Sequence, residues 1–143
     1  SYWRGAVRLV TDCRTMKIRV SFTELSAEYN RSRTIAPLFK ERVKVRVMNK
    51  ALKVLSQVKI AMPVDTGAAR ARWGVPGASG GLWEVLDDGL TVIQGAQLEP
   101  FEYIERLNEG SSMQAPAGFL DTIGYKAEEE LIQEIIDDIA NGF

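Results

Sequence analysis

The chain has 143 residues, 45% of them apolar, enough for one compact domain with a core of ordinary size. It contains no histidine and a single cysteine, Cys13, which excludes serine–histidine and cysteine–histidine catalysis, histidine metal ligation and an internal disulfide. The formal net charge of -1 hides a segregation: residues 1–74 carry 16 Lys and Arg against 5 Asp and Glu, whereas residues 75–143 carry 2 against 14.

Two readings of that split follow from its size. The halves can neutralise each other by packing within one domain, or a basic face on one copy can meet an acidic face on the next. The second arrangement is a heterologous contact, which closes into a ring when the rotation allows. No uninterrupted apolar segment approaches the roughly 20 residues of a membrane-spanning helix, so no membrane partner is expected. No stretch near the start reads as a secretory leader, and maturation in a reducing cytoplasm is the expectation.

Residues 1–15 lack a clear amphipathic pattern. They are expected either to form an arm anchored on a neighbouring subunit by Tyr2 and Trp3, or to add an edge strand to the domain's own sheet. Residues 16–22, Met16-Lys17-Ile18-Arg19-Val20-Ser21-Phe22, alternate as a strand and place the start of the compact domain at Met16. Residues 37–62 predict a long helix, with Pro37 in its first turn and Pro63 ending it. At helical spacing Phe39, Val43, Val47, Ala51, Val54, Val58 and Met62 make one apolar stripe, with Arg42, Arg46, Lys50 and Lys53 on an adjoining face. Residues 42–47 also alternate with period two, a strand signal, but the longer stripe favours the helix.

Residues 82–86 and 90–94, joined by Asp87-Asp88-Gly89, form the strongest local pattern, a β-hairpin. Residues 70–75 are expected as a strand beside it, 100–108 as a short helix and 110–118 as an irregular loop. The final helix, 121–141, aligns Ala127, Leu131, Ile135 and Ile139, widened by Ile132 and Ile136, with Gly142 as its stop. Its acidic face comprises Glu128, Glu130, Glu134, Asp137 and Asp138, a candidate contact face. The predicted architecture is α+β: a small antiparallel sheet packed with a long basic helix and an acidic C-terminal helix, as a 16–143 domain preceded by the 1–15 arm.

Each charged or glycine-rich cluster has a plain structural explanation beside a functional one. The face of Arg42, Arg46, Lys50 and Lys53 could contact DNA phosphates or another subunit, or be paired within the chain. No helix-turn-helix, zinc site or basic-aromatic platform supports base-specific recognition. The carboxylates Glu84, Asp87, Asp88, Glu102, Glu105 and Glu109 match no dedicated metal or acid–base spacing, and Asp87 and Asp88 are explained as turn residues. The glycines of 77–81 lack the lysine and the strand-to-helix context of a phosphate loop. Trp73 and Trp83 read as core or interface anchors. No catalytic residue, cofactor or metal is expected, and no enzymatic role.

Two segments carry a resemblance. Met62-Pro63-Val64-Asp65-Thr66-Gly67-Ala68-Ala69-Arg70 follows the basic helix, and Tyr103-Ile104-Glu105-Arg106-Leu107-Asn108-Glu109-Gly110-Ser111 runs into Gln114-Ala115-Pro116-Ala117-Gly118-Phe119-Leu120. Together they resemble the neck and head-tail joining (tail completion) proteins of tailed bacteriophages. That family shows a short first strand, a long helix ending in a Pro-x-Asp-Thr-Gly turn, a strand pair, a tyrosine-containing segment, a proline-containing loop and a final helix. The matching architectural residues are Pro63, Asp65, Thr66, Gly67, Tyr103, Asn108, Gly110, Pro116, Gly118 and Phe119; residues 1–15 lie outside the pattern. The resemblance implies a virion structural protein, assembled in the host cytoplasm as a ring of hexameric or related symmetry. Such a ring joins the portal-connector to the tail tube and leaves a passage for genomic DNA. A tail terminator capping the tube and a nonspecific DNA-binding module are the alternatives.

Overall fold

Valines 43, 45 and 47 decide between helix and strand for the basic segment. A strand would turn all three to one side, but in the computed structural model Val43 and Val47 are buried and Val45 is 50% exposed. The segment belongs to helix α1, Ala36–Ala61. Every described member of its predicted stripe, Phe39, Val43, Val47, Ala51, Val54 and Val58, is buried. Burial of that stripe outweighs the modest helix penalty of four β-branched valines. The structure describes residues 5–11, 15–21, 25, 36–61, 73–74, 81–96 and 118–141.

Four strands form one antiparallel sheet: β1 Val7–Thr11, β2 Thr15–Val20, β3 Gly81–Leu86 and β4 Thr91–Ala96, in the order β1-β2-β4-β3. The register follows side-chain alternation. Met16, Ile18 and Val20 of β2 are buried while Lys17 and Arg19 point to the other face and are exposed. Ile18 pairs with Leu9 on one side and Val92 on the other, so the apolar face is continuous across three strands. Helix α1 lies over β4 and β2, and the second helix, α2 Phe119–Asn141, lies over β1. Both cover the same face of the sheet, because Val7, Ile18, Val20 and Val92 share one core with Phe39, Val43, Leu131 and Ile135. The predicted α+β architecture, with its basic helix, acidic helix and small antiparallel sheet, is the observed one.

Residues 7–11 pair with β2 from Val7 opposite Val20 to Thr11 opposite Met16, so the segment before Met16 supplies the edge strand of this chain's own sheet. Tyr2, Trp3 and Cys13 lie outside the described residues. Gly124 explains how α2 comes so close to this strand. A β-carbon there would fall 2.7 Å from the Thr11 methyl and 2.8 Å from a Leu9 methyl. A helix-interior glycine costs about 1 kcal/mol relative to alanine, and here it permits the close approach.

The β3–β4 hairpin closes through Asp87–Gly89, where Asp87, Asp88 and Gly89 all have positive φ, a region that aspartate tolerates better than most side chains. Leu90 N–H donates to the Asp87 carbonyl at 3.1 Å, and the Thr91 hydroxyl donates to Asp87 Oδ2 at 2.6 Å. Of the strand expected at 70–75, the structure describes Trp73 and Gly74, which form a turn rather than a strand. Gly74 N–H nevertheless donates to the Gly95 carbonyl at 2.8 Å, which fixes this turn against β4. The helix expected at 100–108, the loop from 110 to 117 and the Gly142 stop lie outside the described residues.

Candidate functional site

The long helix is basic on one flank and the terminal helix acidic on one flank, and the fold brings those flanks together. The bases recur at 42, 46, 50 and 53, and the engaged acids at 130, 134 and 138, so each series keeps to one side of its helix. Rising base numbers meet falling acid numbers, which makes α1 and α2 antiparallel neighbours. Arg46 donates two hydrogen bonds to Asp138, from Nε at 2.8 Å and from Nη2 at 2.7 Å, a bidentate fork. Arg42 Nε lies 3.5 Å from the same carboxylate. Lys50 Nζ donates to Glu134 Oε1 at 2.8 Å and to Glu130 Oε2 at 3.4 Å, and Lys53 Nζ donates to Glu130 Oε2 at 2.7 Å.

Burial grades the ladder. The Lys50 side chain is 3% exposed and that of Asp138 10%, whereas Arg42 and Lys53 remain about half exposed. The Arg46 hydrogen bonds hold the Asp138 carboxyl below its ordinary range against the opposing effect of burial, and Arg42 adds to the depression. Asp138 reciprocally raises the Arg46 guanidinium. The Lys53 hydrogen bond holds the Glu130 carboxyl low, and Glu130 raises the Lys53 ammonium.

The structure thus divides the sequence-predicted site residues. Arg42, Arg46, Lys50 and Lys53, a candidate DNA or subunit face, are engaged with Glu130, Glu134 and Asp138 of the same chain, the internal-neutralisation reading of the charge split. Of the other expected acids, Asp137 is exposed and accepts from Gln133 Nε2 at 2.9 Å, and Glu128 is partly buried. Among the motif residues, Gly118 has a positive φ and its carbonyl accepts the Thr122 N–H at 2.9 Å, while Phe119 opens α2 and is buried. Pro63, Asp65, Thr66, Gly67, Tyr103, Asn108, Gly110 and Pro116 lie outside the described residues, as do Glu102, Glu105 and Glu109. Among the described residues no group of three or more His, Cys, Asp or Glu side chains is arranged to hold a metal ion.

Three features escaped sequence reasoning. Lys44 Nζ donates to Asp88 Oδ2 at 2.7 Å and to Glu41 at 3.0 Å, tying the hairpin turn to α1 and depressing the Asp88 carboxyl. In the core, Trp73 Nε1 donates to Gln94 Oε1 at 3.0 Å and Gln94 Nε2 donates to the Ala51 carbonyl at 3.0 Å, so two buried polar side chains satisfy each other. On the outer side of α1, Leu38, Val45 and Leu52 are each at least half exposed at seven-residue intervals. That spacing was visible in the sequence as a second, weaker apolar line. Near its start a groove of ≈ 520 Å³ runs between Leu38, Arg42, Val45 and Asp138. No helix among the described residues is long and apolar enough to cross a membrane. No protein-family model, curated protein or solved structure matches this chain.

Proposed function

We propose that the chain is a virion structural protein of a tailed bacteriophage, a subunit of a ring at the head–tail junction that joins the portal-connector to the tail tube. The observation that carries this reading is the order of elements. After β1, which lies outside the pattern, a strand, a long helix, a strand pair and a final helix succeed one another as the neck-protein resemblance implies, with Gly118 and Phe119 of the second motif at the start of the last helix. A tail terminator is the second reading that the same resemblance allows.

Because the charged ladder is satisfied within the chain, subunit contact is assigned to the apolar line Leu38, Val45 and Leu52. Exposed apolar side chains aligned on a helix whose opposite side is buried suit a protein contact. The role proposed is assembly, with neither cofactor nor catalysis. Electron micrographs of the purified chain, with the mass in solution from light scattering, test the reading: ring particles are expected. Replacement of Val45 and Leu52 by lysine is expected to reduce the particles to folded single chains. Rings that persist in that variant would remove the α1 line from the interface, and a wild-type chain that stays single at every concentration would contradict ring assembly.

A further inference from the structure

The face of the sheet turned away from the helices carries cations that no acid among the described residues neutralises. Arg8 stands directly opposite Arg19 in the β1–β2 register, and Lys17 follows on the same face, opposite Val10. All three are exposed, and among the described residues no acid pairs with any of them. Like charges placed opposite one another weaken a strand pair, so the arrangement costs stability in the isolated chain. The acids of the α1–α2 ladder, Glu130, Glu134 and Asp138, are engaged with α1 instead, and Asp88 is engaged with Lys44. Beside the two arginines is a shallow depression of ≈ 40 Å³, bounded also by Gly5, Ala6 and Ser21.

We propose that this β1–β2 face, centred on Arg8 and Arg19 with Lys17 beside them, binds the phosphodiester backbone of nucleic acid without reading its sequence. Each guanidinium presents a planar fork of donors that matches phosphate oxygens, and a phosphate between the two forks turns their repulsion into attraction. Residues two apart on a strand lie roughly 6.6–6.8 Å apart, so Lys17 and Arg19 extend the site along the strand toward a second phosphate. The surface is open rather than a deep cleft, which suits a polyanion better than a single small anion. Its described side chains include no aromatic ring on which a base could stack, which leaves backbone contact alone. Glu84 lies on the same face but two strands from Lys17, which confines the footprint to β1 and β2. A second copy of the chain is the poorer partner, since Glu130, Glu134 and Asp138 of its α2 are already paired with α1. The site belongs to a single chain and stands whether or not copies close into a ring.

The test is the salt dependence of binding of the full chain to a random-sequence DNA duplex. Three neutralised phosphates give a slope of log affinity against log salt of about -2.7, or roughly a 40-fold loss between about 50 and 200 mM salt. Replacing Arg8 and Arg19 with glutamine is expected to reduce the slope to about -0.9, a loss of only about 3- to 4-fold over the same range. Lys53→Gln on α1 and Lys126→Gln on α2 should leave the slope unchanged. Removing two opposed like charges should also leave the melting temperature at or above that of the wild type. Should the double variant not fold, Lys17→Gln alone reads the same site through a slope change of about 0.9. The proposal is overturned by a wild-type chain that does not bind the duplex at about 50 mM salt, by an Arg8/Arg19 variant that keeps the full slope, or by an equal loss in Lys53→Gln. It is also overturned if the Arg8/Arg19 variant changes only the oligomeric mass and leaves DNA binding intact, since the patch would then serve a protein contact.

Discussion

Asp138 collects more of the fold's electrostatics than any other described side chain, receiving the Arg46 fork and lying beside Arg42 while only 10% exposed. Asp138→Asn keeps the shape but removes the charge, and a loss of about 1–3 kcal/mol in urea unfolding at neutral pH is expected. Its folded-state carboxyl titrates below the unfolded value of about 3.9, so this contribution is present above that value and lost as pH falls through the folded one. The gap between wild type and variant should therefore close below about pH 4. Gln94 makes the corresponding uncharged case. Gln94→Leu strands the buried Trp73 N–H without its acceptor, and an unsatisfied donor there costs about 1–3 kcal/mol, readable as a lower midpoint of denaturation. Sequence spacing put the bases on one side of a helix and the acids on one side of another. It could not say that those sides meet, because periodicity assigns faces within an element and never the neighbour that covers them. Gln94 was invisible for a related reason: a polar residue in a strand looks like a surface residue until its partners are known.

Helices α1 and α2 and the β3–β4 hairpin were readable because each has a long or self-contained signal. The stripe on α1 spans five turns, and Asp87-Asp88-Gly89 supplies residues suited to the positive φ angles of its turn. Val43 and Val45 test the helix assignment directly. Val43→Ala should cost about 1.5–3 kcal/mol, and Val45→Ala only a few tenths, a contrast that a strand would abolish. Strand β1 was harder to read. Val7 and Leu9 face the core but Val10 is exposed, so the adjacent pair Leu9-Val10 blurs the alternation that would have marked a strand. Nor does sequence reveal that α2 needs a glycine to reach it. Gly124→Ala places a methyl against Thr11 and Leu9, and despite the higher helix propensity of alanine it should destabilise by about 1–3 kcal/mol. Hydrogen exchange should place the loosening in β1.

At the scale of the molecule, part of the basic-to-acidic division of the sequence serves to dock α2 on α1. Among the described residues two further surfaces stay open: the apolar line of Leu38, Val45 and Leu52, and the cationic outer face of β1–β2. These lie on different sides of the molecule, one on a helix and one on the sheet face that the helices leave uncovered. The proposed ring subunit, with a separate contact for nucleic acid, needs two such surfaces. The proposed head–tail role is tested most directly by removing the gene from a phage that carries it and imaging the lysate. Full heads and finished tails lying unjoined are expected, with joining restored by the wild-type chain; complete virions in the absence of the protein would contradict the proposed role, and tails of uncontrolled length would assign the chain to the terminator instead.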